Sequence, residues 1–137
     1  MYRFLFVLLL FPILHSCNNG MNMKSAAIDD LLNDGSSKVW LINKVIFSGI
    51  NTVESSLYQK QIMVFHSSQN IDIIQLNSIG KKNAKKGDFN IDPDSNEIQL
   101  SFEDEKIKYE ITYLTKDSVY LTPKGKLKTK PSIQLIP

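Results

Sequence analysis

From Lys38 to the end of the chain, apolar and polar residues alternate with a period of two, interrupted only by turn-forming segments. Val39 to Phe47 is a strongly apolar run containing Trp40, and Gln59 to His66, with Ile62, Met63, Val64 and Phe65, is a second strand. After the turn Ser67-Ser68-Gln69-Asn70, Ile71 to Leu76 gives a third. Asp88 to Asp92 places Phe89 and Ile91 on one face, and Asp92-Pro93-Asp94-Ser95-Asn96 has turn chemistry. Ile98, Leu100 and Phe102 then alternate with polar residues, as do Ile107, Tyr109, Ile111 and Tyr113. Ser118 to Thr122 points Val119 and Leu121 inward, and Ser132 to Ile136 can add a last strand that pairs with the first. Such alternation buries one face of each strand and wets the other, as in an antiparallel sheet. Short strands separated by frequent turns predict a sandwich or barrel, and closure would remove exposed edges.

Upstream the period changes. Ile28, Leu31 and Leu32 recur at helical spacing after Ser25, a candidate cap, with Gly35 as the stop. The helix could dock on a sheet or plug a barrel end. Met63 and the Val39 to Phe47 strand look apolar on both faces. An external patch is therefore expected, covered by the helix, by the tail or by a partner.

The N-terminus has another logic. Arg3 precedes the apolar run Phe4 to Leu14, broken by Pro12, in the manner of an export signal. That run is shorter than the roughly 20 residues a membrane span needs. Leu14-His15-Ser16-Cys17 resembles a bacterial lipobox, with the chain's single cysteine at the required place. The resemblance implies removal of residues 1–16, lipidation of Cys17, and a tether over residues 17–25. Asn18 in place of an aspartate, and no acidic run directly after the anchor, imply the outer membrane and a periplasm-facing domain. Removing the first 16 of 137 residues leaves 121, enough for one domain.

Charge excludes more than it suggests. Without Arg3 the remaining bases are 15 lysines, against 14 acidic residues. A near-neutral chain lacking arginine has neither the field nor the bidentate reader that nucleic-acid binding uses. His66, beside Ser67 and Ser68 at a strand end, is too poorly placed for a catalytic triad, and one histidine with a lipidated cysteine does not make a zinc site. Asp92, Asp94 and Glu97 lack the glycine-centred calcium loop, and no glycine-rich phosphate loop is present. No enzyme, metal or cofactor is expected. Two lysine clusters remain: Lys81, Lys82, Lys85 and Lys86 on one loop, and Lys124, Lys126, Lys128 and Lys130 alternating beyond Pro123. If extended, the second group puts its amines on one face, a soluble edge or a docking surface for an anionic partner.

A short leading helix, a strand opening at Trp40, successive hairpins, a tyrosine-rich strand and Ser118-Val119-Tyr120-Leu121 together resemble a bacterial lipocalin-like lipoprotein over about residues 26–123. Lys38 stands where lipocalins commonly carry a glycine, two residues before the tryptophan. The resemblance implies an all-β, small antiparallel meander barrel of about eight strands with a short N-terminal helix; residues 124–137, beyond it, read as a Lys-rich extension that can end in a closing strand. Its interior would hold one small apolar or amphipathic ligand. Candidate lining residues, by strand parity, are Trp40, Phe89, Ile91, Leu100, Phe102, Tyr109, Ile111 and Tyr113. The competing reading is an accessory subunit of an envelope-spanning assembly, with the barrel as scaffold. An open, unfilled cavity favours the first; a solid core with a conspicuous patch favours the second.

Overall fold

The alternating segments do close on themselves. The computed structural model describes residues 23–47, 60–125 and 130–137; the signal segment, Cys17 and most of the tether lie outside them. Helix α1 (Met23–Asn33) leads into β1 (Ser37–Ile46), followed by β2 (Gln61–His66), β3 (Asn70–Gln75), β4 (Lys85–Asp92), β5 (Glu97–Phe102), β6 (Lys106–Thr115), β7 (Ser118–Pro123) and β8 (Ser132–Ile136). Each strand pairs antiparallel with the next, and β8 pairs with β1, so these eight described strands form a closed barrel in chain order. The strand expected over Ser132 to Ile136 forms and pairs with both β1 and β7, so the barrel extends through Ile136.

Parity decides what is inside. β5 alternates without fault, with Ile98, Leu100 and Phe102 buried, and β7 buries Val119 and Leu121. The inner face continues with Ile133 and Leu135 of β8 and Phe65 and Met63 of β2. Met63 is an interior residue, so the suspected two-sided character of β2 belongs to its neighbours. Two bulges break the rhythm. Asn43 is an extra residue in β1 opposite β8, so Ile42 and Val45 both reach the core and Ile46 turns outward. Thr112 does the same in β6: Leu114 packs on the core and Tyr113 is left 53% exposed. A bulge inserts one residue and flips every side chain after it.

Helix α1 shuts one end. It packs against β1, β2, β4 and β6, strands spread around the barrel, which places it across an opening. Leu32 is fully buried and Ile28 packs on the core. Burying a leucine side chain contributes roughly 2–3 kcal/mol. Trp40, fully buried, donates its indole N–H to the Leu32 carbonyl at 2.8 Å, tying plug to wall. Lys38 lays its amine 4.1 Å from the Trp40 ring centroid and also donates to the Lys116 carbonyl. The helix begins at Met23, so Ser25 lies within its first turn and does not precede it as a cap. It stops where Asp34 and Gly35 adopt left-handed backbone angles, and Asn33 Oδ1 accepts the Gly35 N–H at 2.9 Å.

The helix covers an end and not the outer wall. Val39 and Ile46 are 50% and 45% exposed there. Leu41, Val64 and Ile74 are half-buried on the same outer side.

Candidate functional site

Among the described residues, nothing covers the end opposite α1. There β1, β3, β5 and β7 finish and β2, β4, β6 and β8 begin, as the meander requires. A cavity of about 480 Å³ enters the barrel from this end, within the range of small-molecule pockets. Its apolar wall is made by Ile42, Met63, Ile73, Leu100, Ile107 and Ile133, with the Phe102 and Tyr109 rings beside them. Gln61, Gln75 and Asn83 line it with amides. In the closed half Phe65 and Phe89 meet edge to face with centroids 5.2 Å apart, and Trp40 is fully buried.

Charge is concentrated on the cavity wall. Lys85 lies 2.8 Å from Glu105 Oε1 and 3.2 Å from Asp104 Oδ1, with its amine 4.7 Å from the Phe102 ring centroid. Glu105 Oε2 accepts from Lys130, so one carboxylate bridges two lysines. These hydrogen bonds, the one from Lys130 foremost, hold the Glu105 carboxyl below its ordinary range, and Lys85 does the same for Asp104. Lys85 in turn is pushed up, mainly by its bond to Glu105. Gly87 makes the arrangement possible. A Cβ there would lie 2.5 Å from the Ser101 carbonyl oxygen and 2.6 Å from Phe102 Cδ1, so only glycine lets the Phe102 ring lie against β4 under the Lys85 amine.

The eight residues expected to line an interior site divide by height and by face. Leu100, Phe102 and Tyr109 line the cavity. Trp40 and Phe89 are fully packed in the closed half, and Ile91 and Ile111 are half-buried against the same core. Tyr113 is corrected outright: the Thr112 bulge turns it to the outside. Lys85 and Lys130, expected in surface clusters, line the cavity instead, and the residues missed are Glu105 and the aliphatic wall. A signal for the placement of Lys85 existed. The β4–β5 register pairs Asp92 with Glu97 and Gly87 with Phe102; continued two residues, it sets Lys85 opposite Asp104.

The lysine run does not present one array. Lys124 pairs with Glu97 at 2.7 Å on the outer wall, whereas Lys130 lines the cavity; Lys126 and Lys128 lie outside the described residues. Asp92 Oδ1 accepts the N–H groups of Asp94 and Ser95 at 3.1 and 3.4 Å, a hairpin turn. Among the described residues no group of three or more His, Cys, Asp or Glu is placed to hold a metal, and no helix is long and apolar enough to cross a membrane.

His66 has partners that its sequence neighbours did not suggest. Ser37 Oγ lies 2.7 Å from its Nδ1, and Asp72 Oδ2 lies 3.2 Å from its Nε2. The three side chains come from adjacent strands on the outer face at the plugged end. A nucleophile also needs donors aimed at a developing oxyanion and a hollow to seat the acyl group. Ser37 is exposed on the barrel's convex side, and the chain of contacts there links β1, β2 and β3.

Comparison with family models, with curated proteins and with solved structures gave no match.

Proposed function

We propose that the protein is a non-catalytic binding barrel of the lipocalin-like lipoprotein kind, holding a small apolar or amphipathic molecule. The observation that carries this is the cavity of about 480 Å³, uncovered among the described residues at one end and walled by aliphatic and aromatic side chains above the buried core. An unfilled interior is what a carrier needs and what a mere scaffold does not. The lipobox-like Leu14-His15-Ser16-Cys17 supports anchoring through Cys17 in the outer membrane, with the barrel facing the periplasm.

The test is displacement of a neutral fluorescent probe, N-phenyl-naphthylamine, from the full chain in nanodiscs, followed by native mass spectrometry of the protein from its own membranes. Saturable binding that is lost when Leu100 or Ile107 is changed to tryptophan supports a carrier. Probe binding indifferent to both changes, with stoichiometric protein partners recovered instead, makes the barrel a scaffold of an envelope assembly. Hydrolysis of a short acyl ester that disappears in Ser37→Ala would overturn the non-catalytic part.

A further inference from the structure

The cavity's polar rim carries a more specific message than its apolar wall. Two lysines and one carboxylate, Lys85, Lys130 and Glu105, belong to the wall itself, and Glu105 gives one oxygen to each amine. Ligand sites fix orientation with a few such groups set against an apolar body. We propose that the ligand is a monocarboxylate with a single alkyl chain, and that its head group takes the place of the Glu105 carboxylate between Lys85 and Lys130. Glu105 is then a resident stand-in, holding two amines in geometry for an anion until the ligand arrives. This rests on the reading of the cavity as a ligand site.

Three observations point the same way. Lys85 and Lys130 are balanced by Glu105 and Asp104, so the added positive charge comes from exposed Lys81, Lys82 and Lys86 on or next to the β3–β4 connection around the mouth. A focused positive field raises the rate at which anions arrive. The bond geometry is already that of a carboxylate: Glu105 accepts at both oxygens, as the ligand's carboxylate would. Finally, at roughly 30 Å³ for each water-sized group, a cavity of about 480 Å³ has room for about sixteen of them. A carboxylate with about ten to twelve carbons fits that volume. Its chain would run from Phe102 past Ile107 toward the aromatic floor.

Competition from Glu105 makes the proposal testable. The full chain in neutral nanodiscs is titrated with dodecanoate, dodecanol and dodecylamine against N-phenyl-naphthylamine, with empty nanodiscs as the background. Dodecanoate is expected to displace best. Glu105→Gln should tighten dodecanoate about threefold to tenfold and leave dodecanol unchanged, as removal of one competing surface charge implies. Lys130→Met and Lys85→Met should each weaken dodecanoate by a similar factor. Dodecanol displacing as well as dodecanoate, with Glu105→Gln indifferent, would overturn the anionic head and leave the carrier reading intact. Dodecylamine binding tightest, and weakened by Glu105→Gln, would overturn it in favour of a cationic head. If none of the three ligands binds, the carrier reading falls as well. Melting temperatures of the three variants show that each is folded before its affinity is compared.

Discussion

Gly87 and Trp40 show how single residues set the two halves of the interior. At Gly87 the missing side chain is the function: its absence lets Phe102 lie against β4 with the Lys85 amine over the ring. Gly87→Ala has no room to relax on the Ser101 carbonyl side, since that oxygen is backbone. It is expected to cost about 1–3 kcal/mol, the usual penalty for overpacking, and to lower the urea midpoint. Trp40 works by what it fills and what it donates to. Trp40→Phe removes volume at a fully buried site and leaves the Leu32 carbonyl without its donor. A loss of about 2–4 kcal/mol is expected from the two effects together, again read from urea unfolding. Ligand affinity should hardly change, because Trp40 sits in the packed half and not in the cavity wall.

Helix α1 and the β5–β6 turn carry charges whose titrations run in opposite directions. Burial, then the neighbouring Asp30 charge, raises Asp29 above 3.8, and its Oδ1 has no hydrogen-bond partner among the described residues. The ionised group therefore opposes folding at neutral pH, and the penalty fades as pH falls through the raised pKa. Asp29→Asn is expected to raise the melting temperature at pH 7, with a smaller gain near pH 4. Glu105 behaves inversely. Its pKa is depressed below 4.5, so the stability it supplies is complete above that value and is lost as pH falls through the folded-state pKa. Glu105→Gln should therefore flatten the acid limb of the stability profile. Leu32→Ser tests the plug itself: a loss of about 2–5 kcal/mol is expected where a core leucine is removed, and unchanged stability would refute its role. Most of these elements could be read from the chain, because period-two alternation and turn residues state strand and turn locally. The closing strand was legible from Ile133 and Leu135 for the same reason. The bulges at Asn43 and Thr112 were not, since an extra residue leaves composition unchanged and shows itself only against the partner strand; Tyr113 was misplaced on that account. Parity also separates inside from outside without giving height. That is why Trp40 and Phe102 looked equivalent in the sequence, although one lies in the floor and the other at the mouth.

Taken as a whole, the barrel is a cup with a helix for its base. Neighbours in sequence are neighbours in space at every pairing but one: β1 meets β8 across almost the full length of the domain, Leu41 with Ile136 and Ile46 with Ser132. The folding pathway inherits that asymmetry. The β2–β3, β4–β5, β5–β6 and β6–β7 hairpins close short turns quickly, whereas the seam carries the entropy of a loop that spans nearly the whole domain. The barrier to folding therefore belongs to the seam, and the refolding rate should depend on side chains that meet there. Ile133→Val and Leu135→Val are expected to slow refolding in stopped-flow measurements, while Ile98→Val, at the middle of the meander, should mainly speed unfolding. A chain synthesised from its N-terminus completes β8 last, so until that strand emerges β1 and β7 remain open edges. The few residues after Lys130 thus decide how long a nascent barrel is exposed to pairing with other chains.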